Sequence, residues 1–202
     1  MLEYTLEQKL IDDGYKVVCG VDEAGRGPLC GPVVAAAVVL PCGLNIEGLN
    51  DSKKISEKKR EKLFDEICEK ALYYSITYGT VEQINSTNIL EATLDAMHRA
   101  VDTLGVKVDH ALIDGNIARG FSVPAIPVIH GDAISPSIAA ASILAKVTRD
   151  RLCIDLDAEY PVYGIVKHKG YGTKEHMEAL RKYGPAPIHR TKFIRFLDGD
   201  QK

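Results

Sequence analysis

The feature that most constrains this chain is the apolar run Val33 to Leu40, which opens after Gly31 and stops at Pro41. Valine and alanine fill it with no polar alternation, so neither of its faces suits water. It predicts a central, fully buried strand that pairs with an earlier one and needs cover on both sides. At 202 residues the chain is long enough to build one substantial core around such a strand.

The rest of the chain supplies the cover. Lys16 to Val21 reads as a strand running into the tight turn Gly25-Arg26-Gly27, with Asp22-Glu23 at its end. Ser56 caps a helix whose inner face is Leu63, Phe64, Ile67 and Ala71, and Leu72 to Thr80 is a strand. Thr87 caps the next helix, with Leu90, Leu94, Met97, Val101 and Leu104 at helical spacing and Gly105 ending it. Short strands follow at Ala111–Ile113 and Val128–Ile129. Ser135-Pro136 then starts a helix that runs to about Ala158, its early small residues implying close packing on the sheet. A short helix spans Lys174 to Arg181. Strands interleaved with helices give an α/β layer architecture, with residues 1–160 as the core and 161–202 as a small C-terminal part packed on it.

Several classes are excluded or disfavoured. Met1 to Gly14 is polar and lacks an apolar signal region, and no run reaches membrane-spanning length, so a cytoplasmic protein is expected. The five cysteines are odd in number and show no Cys-x-x-Cys pair, which suggests reduced thiols rather than disulfides or structural zinc. Net charge is −3, yet it is unevenly spread. Residues 1–142 carry 13 basic and 20 acidic side chains, whereas Tyr160 to Phe196 carries 8 basic and 2 acidic. That polarity fits either a phosphate grip beside an acidic body or two unevenly charged solvated helices.

Four carboxylates stand where acidic residues are scarce, at the ends of apolar strands: Asp22, Glu23, Asp114 and Asp132. Strand ends of an open α/β sheet gather along one edge, where ligand sites form. Four carboxylates there repel one another unless cations neutralise them, and hard oxygen ligands suit Mg²⁺ or Mn²⁺. Alone, Asp114 before Gly115-Asn116 reads more readily as a turn aspartate, and Asp132 equally well as a helix cap. The Asp22-Glu23 pair is harder to dismiss, because strand neighbours point to opposite faces and share a site only where the strand breaks. The Gly25-Arg26-Gly27 turn allows close backbone approach and places an arginine beside a polyanion. Two divalent ions beside such a turn point to phosphoryl-transfer chemistry.

The stretch Gly20 to Ala37, with Asp-Glu-Ala-Gly-Arg-Gly at Asp22–Gly27, resembles the first signature of bacterial ribonuclease HII. Leu49-Asn-Asp-Ser-Lys-Lys, Ile113-Asp-Gly-Asn, Gly131-Asp132, Ser137 to Asp150 and His168-Lys-Gly-Tyr-Gly-Thr are similar to its later motifs, in the same order. The resemblance runs from about Lys16 to Phe193. It implies a ribonuclease H-like fold, a five-stranded mixed sheet flanked by helices with a small helical C-terminal part. It implies that Asp22, Glu23, Asp114 and Asp132 are the catalytic carboxylates holding two divalent ions, Mg²⁺ or Mn²⁺. It implies that Gly25, Arg26 and Gly27 sense the ribose 2′-hydroxyl, and that Tyr171 packs on the next sugar and favours deoxyribose. Ser52 and Lys53 match a motif near the substrate backbone, and Lys146, Lys169 and Thr173 are weaker candidates of the same kind. Lys58 to Lys62 read instead as a solvated helix face.

The partners so implied are RNA–DNA hybrid and DNA containing ribonucleotides, bound by a monomer with no membrane contact. The segment Phe193 to Leu197 matches no clamp-binding pattern well, so no replication partner is named. Two departures stand out: Cys30 where the family usually has alanine, and Lys192 where serine is common. The alternatives are a ribonuclease HIII-like enzyme, against which Arg26 in the turn speaks, and a catalytically silent hybrid-binding protein. The intact carboxylate set argues against the latter, because a pure binder gains nothing from negative charge beside a phosphate.

Overall fold

The computed structural model describes residues 2–50, 52 and 55–199. In chain order these form α1 (Thr5–Asp12), β1 (Val18–Ala24), β2 (Val33–Val39), α2 (Glu57–Lys70), β3 (Tyr73–Gly79), α3 (Val81–Ser86), α4 (Ile89–Asp102), β4 (His110–Asp114) and β5 (Ala125–Val128). Then come α5 (Pro136–Glu159), α6 (Ile165–His168), α7 (Lys174–Tyr183) and α8 (Phe196–Gly199), with 3-10 turns at Gly131–Ala133, Pro161–Tyr163 and Thr191–Phe193. The strands make one mixed sheet in the order β3-β2-β1-β4-β5. β1–β2 and β2–β3 are antiparallel, while β1–β4 and β4–β5 are parallel.

β2 is the central buried strand its composition requires, and every residue of it is buried. Its side chains alternate between two cores. Val34, Ala36 and Val38 face α5 and α2, meeting Ala140, Ile143, Leu144, Leu63 and Ile67. Ala35, Ala37 and Val39 face α4, meeting Met97, Ala100 and Val101 together with Val21 and Ile113. Small residues let α5 lie directly on β1: a Cβ at Gly20 would stand 2.2 Å from the backbone nitrogen of Ile138. A third cluster of Cys30, Cys153, Tyr163, Ile165, Leu180 and Ile194 joins the C-terminal helices to the β1–β2 loop and the end of α5.

The structure corrects four local expectations. β1 continues to Ala24, so Asp22 and Glu23 lie within the ladder, opposite Ala36 and Ala35, rather than at its end. Thr87 does not cap α4: it closes the extra helix α3, and Asn88 accepts the Glu91 N–H at 3.0 Å as the cap. The polar N-terminus, given no element by its composition, forms α1. Glu7 on α1 is buried and accepts from the Ser135 hydroxyl at 2.5 Å and the Ser137 N–H at 3.1 Å, so an acid sits at the positive end of α5. Finally, Arg60 is not part of a solvated face. It donates to the Ser52 carbonyl at 3.0 Å and to that of Ile55, and pairs with Asp150 at 3.5 Å, pinning the loop before α2.

Candidate active site

The site forms where β1 and β4 run side by side. Val21 pairs with Ile113 in the parallel ladder, so Asp22 and Asp114 follow as neighbours on adjacent strands. Asp22 is 5% exposed and hydrogen-bonds Ser142 of α5, while its Oδ1 accepts the Glu23 N–H at 2.6 Å. Glu23 points to the opposite face, as its ladder position requires. There it lines a cleft with Arg26, Leu94, Met97, Asp114 and Asn116, and Arg26 Nη1 approaches its Oε1 to 3.5 Å. Asp114, at the tip of β4, stands between the two. Its Oδ1 accepts the Gly131 N–H at 2.7 Å, which draws the 3-10 turn holding buried Asp132 against it. Asp22, Glu23 and Asp114 thus come together from β1 and the end of β4, and Asp132 lies buried in the turn before α5 that Gly131 ties to Asp114.

Their electrostatics are those of a site that wants a cation. Burial, then the charges of Glu23 and Asp114, hold the Asp22 carboxyl well above the usual carboxylate range. Burial raises Glu23 as well, with Arg26 drawing it down and Asp114 pushing it up. Buried carboxylates destabilised as anions by one another are a hard-oxygen donor set for which a divalent cation supplies the missing charge. The residues fit such an ion.

The neighbouring turn is held from beneath by two arginines that the sequence motifs do not single out. Arg190 is fully buried, and its guanidinium donates to four carbonyls of the turn: Gly25 at 2.7 Å, Arg26 at 3.0 Å, Pro28 at 2.8 Å and Gly31 at 2.9 Å. Burial and the adjacent Arg149 cation press its pKa down to about 9, still charged at neutral pH. Arg149, also buried, donates to the carbonyls of Lys169 at 2.9 Å and Cys30 at 3.3 Å. Its side chain occupies the space under Gly25, where φ is +99° and a Cβ would lie 2.0 Å from Nε. Only glycine satisfies both the backbone conformation and the arginine.

Tyr171 is half exposed, and its ring lies against Gly27, where a Cβ would be 3.3 Å from Cε1. The other predicted contacts have partners within the protein. Ser52 is buried, its hydroxyl 2.9 Å from that of Ser142, so it stands behind Asp22 rather than on the surface. Thr173 caps α7 through the His176 N–H at 3.3 Å. Lys146 pairs with Asp150 at 2.5 Å, and Lys169 Nζ lies 3.7 Å from Glu57. Lys53 falls outside the described residues.

Comparison with known proteins agrees with this geometry. The family model for ribonuclease HII matches residues 19–196. A ribonuclease HII of Ruminiclostridium cellulolyticum is 55% identical over 191 residues, covering 95% of this chain and 75% of that protein. Another, of Caldicellulosiruptor bescii, is 50% identical over 192 residues, covering 95% of this chain and 93% of that protein. Among solved structures, the ribonuclease H2 of Pyrococcus horikoshii superposes with a TM-score of 0.75 at 29% identity, over 92% of this chain and 98% of that one. Since the matched span takes in the sheet, all four carboxylates, the turn and its buried arginines, the chain belongs to the ribonuclease HII family and is a ribonuclease H, an endonuclease acting on RNA–DNA hybrids.

Proposed function

We propose that this enzyme hydrolyses the phosphodiester on the 5′ side of a ribonucleotide, leaving a 3′-hydroxyl and a 5′-phosphate, and that it cuts at single ribonucleotides in duplex DNA as well as in longer hybrids. The observation that carries this is the convergence of Asp22, Glu23 and Asp114 beside the Gly25-Arg26-Gly27 turn. Asp22, Glu23, Asp114 and Asp132 would hold Mg²⁺ or Mn²⁺, two ions in the active complex. When bound, the ions supply the positive charge that makes a water nucleophilic and stabilises the departing oxygen.

The chain's own residues divide the remaining tasks. Ser142, with Ser52 behind it, orients the Asp22 carboxyl. The Gly131 N–H fixes one oxygen of Asp114 and leaves the other for coordination. Arg26 is half exposed beside Glu23 and is placed to meet a phosphate. The Gly25–Gly27 backbone, its carbonyls anchored inward on Arg190, reads the 2′-hydroxyl that distinguishes RNA from DNA. Tyr171 offers an aromatic face next to that turn, where a deoxyribose packs flat. Lys146 and Lys169 contribute positive potential nearby. No helix among the described residues is long and apolar enough to cross a membrane.

The deciding experiment is cleavage of a duplex carrying one embedded ribonucleotide, with Mg²⁺, with Mn²⁺ and with chelator. A single cut 5′ to the ribonucleotide that depends on the ion is expected. Cleavage elsewhere, or undiminished cleavage in chelator, would overturn the reading.

A further inference from the structure

Away from the carboxylates, the fold assembles a second set of ligand-type side chains that no sequence spacing reveals. Cys30 Sγ and the nearest ring nitrogens of His176 and His189 lie within 4.8 Å of one another, and all three residues are buried. They come from the β1–β2 loop, from α7 and from the segment after it, joined by a backbone bridge between Cys30 and His189. The two Nε2 atoms are 3.2 Å apart. That is close to the roughly 3.3 Å separating two imidazole nitrogens on one tetrahedral zinc at about 2.0–2.1 Å each.

The far side of each ring is already oriented as a metal ligand's is. His176 Nδ1 lies 3.0 Å from the Tyr171 carbonyl, an acceptor only, so Nδ1 carries the proton and Nε2 presents its lone pair. His189 Nδ1 sits 3.2 Å from the Ala186 carbonyl and 3.0 Å from the Ala186 N–H, so either tautomer is served. In one, His189 Nε2–H donates to His176. In the other, both Nε2 lone pairs face one another with Cys30 Sγ within 4.8 Å, an arrangement that calls for a cation. Both rings stay neutral at pH 7, since burial lowers His176 and brings His189 down to about 4. His168 stacks on His176 at 4.5 Å, but its nitrogens are taken by the Tyr163 carbonyl and the Gly170 N–H, so it buttresses the site without joining it. Gly170 makes room for the thiol: a Cβ there would be 2.9 Å from Cys30 Sγ.

We propose that Cys30, His176 and His189 form a Cys-His₂ site for Zn²⁺, distinct from the carboxylate site, which clamps the β1–β2 loop to the C-terminal helices. Thiolate and imidazole select a borderline-soft ion over Mg²⁺ or Mn²⁺. On binding, the Cys30 thiol releases its proton to solvent, and His189 takes the tautomer that donates Nδ1–H to Ala186. The reading is independent of the carboxylates, which bind through oxygen alone.

The test uses the full chain, reduced, stripped with chelator, then given one equivalent of Zn²⁺ in excess Mg²⁺. After gel filtration, elemental analysis should find about one zinc per wild-type chain, with a raised Tm. Cys30→Ala and His189→Gln should each lose the zinc and the Tm rise, while Cys153→Ala keeps both. Co²⁺ in place of Zn²⁺ should show a thiolate-to-metal charge-transfer band that Cys30→Ala lacks. Cys30→Ala is a small-for-small change, and circular dichroism confirms that it folds; should it not, His189→Gln and the cobalt band of the wild type decide. Wild-type protein that retains no zinc, or a folded Cys30→Ala that retains it equally, would overturn the proposal.

Discussion

Replacing Arg190 by methionine is the sharpest probe of how the Gly25–Gly27 turn is held. The side chain is fully buried, and its guanidinium is the shared donor for four carbonyls between Gly25 and Gly31. Methionine fills much of the same volume and removes every donor. Hydrogen bonds from a charged donor contribute about 1.5–3 kcal/mol each, and a stranded buried acceptor costs about 1–3 kcal/mol. The four bonds share one cation whose desolvation is itself costly, so the effects do not add. Breaking one side of a buried charged network typically costs about 3–5 kcal/mol, and that range is expected here. With a domain stability above about 5 kcal/mol the variant still folds. At about 2–4 °C per kcal/mol for a chain of this size, Tm should fall by roughly 6–20 °C.

Activity should suffer beyond what lost stability explains, because the turn's backbone sits beside Glu23 and a misplacement of about 1 Å can cost roughly 100-fold. Cleavage of a duplex with one ribonucleotide is measured well below the variant's Tm, beside Arg190→Lys. Lysine restores the charge but offers a point donor rather than a planar fork, so it should recover part of the stability and little of the rate. An Arg190→Met protein that melts within about 2 °C of wild type would refute the stability reasoning. One that melts lower but cuts at the wild-type rate would show that the turn needs no such anchor.

Four further outcomes are expected. Asp22→Asn and Asp114→Asn should each lower turnover in Mg²⁺ by more than the roughly 10–100-fold typical of a lost outer-shell partner. Without metal, Asp22→Asn should also change the pH dependence of unfolding. The folded Asp22 carboxyl is raised above its ordinary value of 3.8, so the stability it adds is present below that pH and lost as pH rises through the folded pKa. The variant's advantage in denaturant midpoint should therefore grow from acid to neutral pH, and a constant difference would contradict it. Tyr171→Ala should lose cutting at a single ribonucleotide more than cutting of long hybrids, with stability changed by about 0.5 kcal/mol or less, whereas Gly27→Ala should impair both substrates; steady-state rates on the two decide. In the proposed mechanism water rather than the 2′-hydroxyl is the nucleophile, so mass spectrometry of the products should find no 2′,3′-cyclic phosphate.

What was legible in the sequence was whatever is written locally. The Val33–Leu40 run demanded a central strand, and Ser135-Pro136 with small residues behind it demanded a helix packed closely on the sheet; both hold. The carboxylates were legible as acids in the wrong places. That they gather along one edge followed from strand ends in an α/β sheet, but the pairing that achieves it did not: β4 adds parallel to β1, joining residues about ninety apart in the chain, which no local pattern encodes. The same limit hid α3, whose six residues are too few for periodicity to register, and moved the α4 cap from Thr87 to Asn88.

The buried arginines mark a deeper limit. A guanidinium with a carboxylate partner leaves a trace in charge patterning, but Arg190 is satisfied by carbonyls, which every residue has. Its positive charge belongs to the basic stretch Tyr160 to Phe196, yet it does not face solvent. It faces the turn instead, as does Arg149 from α5. Arg190, with its hydrogen bonds spent on main-chain oxygens, and Arg149, which donates to the Lys169 and Cys30 carbonyls, lie under the Gly25–Gly27 turn. The basic character of this half of the molecule is therefore partly internal: it fixes the carbonyls inward and sets a positive potential behind the turn. Salt screens a buried charge less than a surface lysine's, so this share of the potential persists as ionic strength rises.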